Sequence, residues 1–128
     1  MRICRRPWRV PRVTIQSGLV GSAADPWVQR ALRAAAGSQM VLIEEALDPH
    51  AYIALLANAD LLLLPYDGAV YGTRSGGILA ESLALGIPAV VPAGCWMEDF
   101  ARTSRAVASP SGRPLGPCLA EALNSLPA

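Results

Sequence analysis

Apolar positions along this chain fall into short runs separated by polar or glycine-rich breaks, and the runs switch between two periods. Residues 10–17 (VPRVTIQS) alternate and are rich in β-branched side chains, which predicts a short strand. Trp27, Val28, Ala31, Leu32 and Ala35 then recur at helical spacing, opened by Asp25-Pro26 and closed at Gly37. Residues 39–46 (QMVLIEEA) predict a second strand. Asp48-Pro49 repeats the same start signal for a helix reaching about Asn58, with Tyr52, Leu55 and Leu56 as its apolar stripe and Ala59 on the same face. Residues 60–65 hold Leu61 to Leu64 without alternation, the pattern of a strand covered on both faces. A helix over 75–85 stops at Gly86-Ile87-Pro88, and a strand over 88–92 follows. Beyond Gly94 the pattern thins to a short strand at 105–108, a Pro/Gly loop at 109–116 and a last helix at 117–126.

Strands that alternate with helices predict an α/β fold. The expected architecture is an open, parallel, Rossmann-like sheet with helices on both faces, since parallel neighbours need a crossover. The chain of 128 residues is the length of one domain, with no internal repeat. Arg2, Arg5, Arg6, Arg9 and Arg12 crowd the start, and no acid precedes Asp25. Residues 1–12 are therefore expected to be a poorly ordered basic leader, and residues 13–128 the folded domain. No apolar h-region follows Arg5-Arg6, which argues against an export signal.

Composition narrows the function classes. Hydrophobic residues make up 52 % of the chain, which excludes a disordered protein. No apolar run approaches the roughly 18–20 residues that span a bilayer. A net charge of +1 argues against a broad nucleic-acid surface. Cys4, Cys95 and Cys118 show no CxxC spacing, so free thiols in a reducing, cytoplasmic compartment are expected. His50 is the sole histidine, which excludes a histidine-rich metal site.

Candidate chemistry concentrates between the third strand and the helix after it. Ligands of open α/β sheets sit at the carboxyl ends of strands, which makes the loop from Tyr66 to Arg74 the expected location. Ser75 or Thr73 can cap the helix. Gly76 and Gly77 lack a Cβ, so a ligand can approach their amides, and the helix start offers unpaired N–H groups with partial positive charge. Arg74 adds a forked donor suited to phosphate. Glu81 follows Gly77 by four residues and shares its helix face. A ligand with phosphate at the helix tip and a sugar diol one turn down, about 5.4 Å away, would meet both. Each residue also has a plainer reading: Gly76-Gly77 as close helix–sheet packing, Glu81 as a solvated side chain, and Arg74 as the partner of Asp67.

Over these residues the chain resembles the C-terminal, nucleotide-sugar-binding domain of a GT-B glycosyltransferase of the retaining, group 1 type. The resemblance covers about residues 13–126 and is strongest over 47–92, in the helix through Ala51-Tyr52, in "ANADLLLLPY" and in "YGTRSGGILAESLALGIPAVVP". It implies one half of a GT-B fold. It places the donor diphosphate on Ser75, Gly76 and Gly77 and the nucleotide ribose on Glu81. Thr73 stands where the common pattern has a second acid contacting the donor sugar, and the basic pair that binds phosphate from an earlier loop has no match. No metal or cofactor is implied; the nucleotide-diphosphate sugar is a substrate.

The N-terminal acceptor domain of that family has no counterpart here, nor do the first strand and terminal helices of the donor domain. The expectation is an incomplete donor-binding half that binds a nucleotide-sugar donor and transfers poorly by itself, its acceptor domain supplied in cis or in trans. Half a cleft positions no acceptor. Catalytic residues, base, sugar, acceptor and stereochemical outcome stay open. Two other readings fit the same residues: a half domain of a nucleotide-sugar 2-epimerase, and a non-catalytic nucleotide-binding or interaction module. In the last, Trp96 and Met97 form an interface; their plainer reading is ordinary packing at a strand end. A Cys95 nucleophile paired with His50 has no supporting motif, and Glu98-Asp99 reads as a solvated helix start.

Overall fold

The computed structural model describes residues 12–16, 30, 33–34, 39–66, 69, 72, 77–104, 106–110 and 112–126. The chain divides into two compact units, Met1–Asp48 and Pro49–Ala128. The expected leader up to residue 11 and most of the helix expected after Asp25-Pro26 lie outside the described residues. Arg30, Arg33 and Ala34 are helical.

In the first unit, β1 (Val13–Gln16) pairs in parallel with β2 (Met40–Ile43), Val13 opposite Met40 and Gln16 opposite Ile43. Exposed Arg33 donates to Glu44 just past β2 through Nε at 2.8 Å and Nη2 at 2.6 Å. Such a solvated pair contributes little to stability.

The second unit begins with α1 (Pro49–Ala57) and continues through β3 (Leu62–Leu63), α2 (Gly77–Ala84), β4 (Ala89–Val90), α3 (Glu98–Thr103), β5 (Val107–Ala108) and α4 (Leu115–Ser125). Its strands pair in parallel in the order β3-β4-β5, with Leu62 opposite Ala89 and Ala89 opposite Val107. Helix α2 links the first pair and α3 the second. The protein is therefore α/β with parallel pairing in both sheets.

Leu64, Leu79, Ala89, Val91, Cys95, Met97 and Val107 form the buried cluster of this unit, and Leu62, Tyr66, Ile78, Leu83, Trp96 and Ala101 pack against it. The two-sided cover expected for the leucine run is only partial, because Leu61, Leu62 and Leu63 are half-buried and Leu64 alone is buried. Strand β4 is the most enclosed, with Ala89, Val90 and Val91 at 1 % exposure or less.

The Gly86-Ile87-Pro88 stop is a Schellman motif. Gly86 has φ +75°, its N–H donates to Leu83 O at 3.0 Å, and the Ile87 N–H donates to Ser82 O at 2.8 Å. Ile87 is buried beside it. This closure aims the chain from α2 into β4. Ser82, fully buried on α2, is satisfied by donating to Leu79 O at 2.8 Å.

Candidate functional site

Helix α2 starts a crossover that follows the carboxyl end of β3, so its first residues stand where ligands of parallel sheets bind. Its first turn carries no acidic residue, so the acid that faces the positive end of the helix comes from the next turn. Gly77 is the first described residue of the helix, and Glu81 lies one turn on. Helical side chains lean toward the N-terminus. The Glu81 carboxylate accordingly lies over the helix start, with Oε1 3.6 Å from the point a Cβ on Gly77 would occupy. The two residues share the face that their spacing predicted. Among the described residues nothing else comes within 4 Å of that point. Close packing against a described element therefore does not explain a glycine at 77.

Glu81 is exposed, yet it is not a freely solvated side chain. The Tyr52 hydroxyl, from α1, donates to Glu81 Oε2 at 2.5 Å. The Tyr52 phenol is pushed up to about 12, first by burial, then by the hydrogen bond and the negative charge of Glu81, and last by Tyr66 at the end of β3. The phenol therefore keeps its proton, and remains a donor, across the physiological range. Sequence reasoning placed Tyr52 in an apolar stripe and missed this role. The only signal was that Tyr52 is the one member of that stripe with a polar tip; a separation of 29 residues from Glu81 follows no local rule.

An ionised carboxylate only accepts hydrogen bonds. With Oε2 engaged by Tyr52, Oε1 is directed over a helix start that carries no Cβ at 77. A ligand hydroxyl pair satisfies such an acceptor, and an anionic group satisfies the amides beyond it. Thr73, Arg74, Ser75 and Gly76, the other donor-binding residues expected from sequence, lie outside the described residues, as does Asp67, the alternative partner for Arg74.

A second polar group lies past β4 and β5. A groove of about 610 Å³ is lined by Glu98, Arg102 and Ser109, with Ala101 and Val107 as apolar wall. Glu98 opens its helix and Asp99 is exposed, as expected from sequence, but Glu98 is half-buried rather than solvated. Its Oε2 accepts from the Gly94 N–H at 2.8 Å and its Oε1 from the Ser109 hydroxyl at 3.2 Å, which ties α3 to the ends of β4 and β5. Both oxygens are engaged inside the protein, so this acid is a cross-tie.

Of the two readings of Trp96 and Met97, the structure bears out ordinary packing and not the interface. Met97 is 0 % exposed in the core. Trp96 packs on that core and meets Phe100 edge to face at a centroid distance of 5.6 Å. Cys95 is a buried free thiol that donates to Pro92 O at 3.3 Å, and Cys118 is likewise buried and free. Among the described residues no cluster of three or more His, Cys, Asp and Glu is placed to hold a metal ion, and no helix is long and apolar enough to cross a membrane.

No protein-family model, curated protein or solved structure matches the chain. The geometry of Tyr52, Gly77 and Glu81 is thus what speaks for a function.

Proposed function

We propose that the chain is the donor-binding half of a glycosyltransferase, taking a nucleotide-diphosphate sugar at the start of α2. One observation carries this reading: the Glu81 carboxylate is held by Tyr52 over a helix start at which Gly77 leaves the space beside Oε1 open. An acceptor-only group one turn below an amide-rich tip suits a ribose diol joined to a diphosphate. The resemblance of residues 47–92 to group 1 glycosyltransferases supports the same ligand. On this reading Ser75, Gly76 and Gly77 meet the diphosphate, Arg74 adds charge, Thr73 lies toward the donor sugar, and Glu81 takes the ribose. The fold then belongs to the open Rossmann-like class with helices on both faces, which the all-parallel pairing and the crossover helices support. The acceptor is held by a partner domain, in cis or in trans, and the setting is cytoplasmic.

Calorimetry of the purified chain with uridine and guanosine diphosphates tests this. Saturable binding of one of them, weakened roughly tenfold or more in Glu81→Ala, is the expected result. Absence of binding to either would overturn it. A labelled nucleotide sugar checks the accompanying claim: the chain alone turns over little donor, and robust transfer, or epimerised sugar as product, contradicts the assignment as an isolated donor half of a transferase.

A further inference from the structure

We infer that Tyr52 is a positioning residue for Glu81, holding its carboxylate ready for the ribose hydroxyls of a bound nucleotide diphosphate. This rests on the donor-binding reading above and assigns it a residue that the sequence pattern does not contain.

A long exposed carboxylate samples several rotamers, and a ligand that uses it must freeze them at a cost in affinity. Glu81 is exposed, but its Oε2 takes the Tyr52 hydroxyl at 2.5 Å. That bond joins two helices, α1 and α2, so the carboxylate is aimed by tertiary structure and not by its own helix. Oε1 then stands 3.6 Å from the vacant Cβ position of Gly77. The half-buried ring of Tyr52 fixes the donor, and its raised phenol keeps the proton there. Oε2 accepts from the protein, and Oε1 is oriented for the ligand. Such an acceptor gains from a hydroxyl and gains nothing from a C–H, so removal of both the 2′- and the 3′-hydroxyl leaves an oriented charge without its donor. If the pair served only to join the two helices, its loss would lower stability and leave this preference alone.

The test compares uridine and guanosine 5′-diphosphates with their 2′,3′-dideoxy counterparts on the wild-type chain and on Tyr52→Phe, which keeps the ring and deletes the donor. The wild type is expected to prefer the ribonucleotide. In Y52F the ribonucleotide affinity falls roughly five- to tenfold, the dideoxynucleotide affinity changes less than twofold, and the preference collapses. In the Glu81→Gln background Tyr52→Phe should have no further effect on that preference. A second measurement needs no variant: with tyrosine labelled at 13Cζ, the Tyr52 resonance of the wild type moves on binding the ribonucleotide and moves less with the dideoxynucleotide. Wild-type binding with an unchanged preference in Y52F, or with a Tyr52 resonance indifferent to both ligands, overturns the role of Tyr52 and leaves the donor reading standing. Failure of the wild type to bind either diphosphate removes both.

Discussion

Replacing Gly77 by alanine separates a ligand site from a packing accident, because the two readings predict opposite changes. Gly77 is the first described residue of α2 and carries no positive φ. A Cβ there meets only Glu81 Oε1 among the described residues, at 3.6 Å, an ordinary van der Waals distance. Alanine therefore introduces no clash and removes backbone freedom from the unfolded chain. In a helix interior that exchange stabilises by roughly 0.5–1 kcal/mol; near the helix start the lower figure applies, about 0.5 kcal/mol, or about 2 °C in Tm. The methyl group also occupies one side of Oε1, where a ligand hydroxyl must come within about 2.8 Å to bond. Losing one hydrogen bond to a charged acceptor costs about 1.5–3 kcal/mol, which is roughly 10- to 150-fold in affinity. Urea denaturation and calorimetry with uridine and guanosine diphosphates, run on the same preparations, measure both. The expected outcome is a variant slightly more stable than the parent that binds at least tenfold more weakly. Destabilisation by 1 kcal/mol or more with normal binding would refute the reasoning and return Gly77 to a packing role.

Gly86→Ala should destabilise by about 1 kcal/mol, because the residue sits at φ +75° with nothing within 4 Å of its Cβ position, so the cost is conformational and not steric; Gly86→Asn should recover part of it in the same denaturation curves. Met97→Ala should cost about 2–5 kcal/mol, since Met97 is 0 % exposed in the core cluster, and a neutral result would contradict its burial. Tyr52 should titrate at about 12 in the folded chain. Its folded value is raised above the ordinary 10.0, so its contribution to stability is whole below that pH and is lost as pH rises through about 12. In Glu81→Ala the phenol should titrate lower, as followed by ultraviolet difference absorbance or 13Cζ shifts. Native Cys95 and Cys118, both buried, should react with a thiol reagent only at the rate of unfolding.

Much of the second unit was legible from local signals. Asp48-Pro49 marked the start of α1, and Gly86-Ile87-Pro88 marked the end of α2 because only a residue tolerant of positive φ closes a Schellman turn there. The runs predicted as strands at 60–65, 88–92 and 105–108 contain the shorter strands observed, Leu62–Leu63, Ala89–Val90 and Val107–Ala108. The spacing of Gly77 and Glu81 put both on one helical face, since a helix repeats every 3.6 residues. What stayed hidden was tertiary. Tyr52 carries an apolar ring and a polar tip, and periodicity reads only the ring; its partner lies on another helix. Glu98 looked solvated because its acceptors' partners, the Gly94 N–H and the Ser109 hydroxyl, come from a turn and from the end of a separate strand. Ordinary packing was the plainer reading of Trp96 and Met97, and the turn after Gly94 does fold them onto the core.

The central claim is that the start of α2 binds a nucleotide diphosphate with Glu81 as the diol acceptor. Titrating the 15N-labelled chain with uridine and guanosine diphosphates, and following backbone amide shifts, tests it most directly. The account predicts saturable shifts with one of them, centred on Gly77 and Ile78 and extending to Glu81, and their loss in Glu81→Ala. Saturable shifts centred instead on the groove beside Glu98 and Ser109, or no saturable shift with either nucleotide, would contradict it.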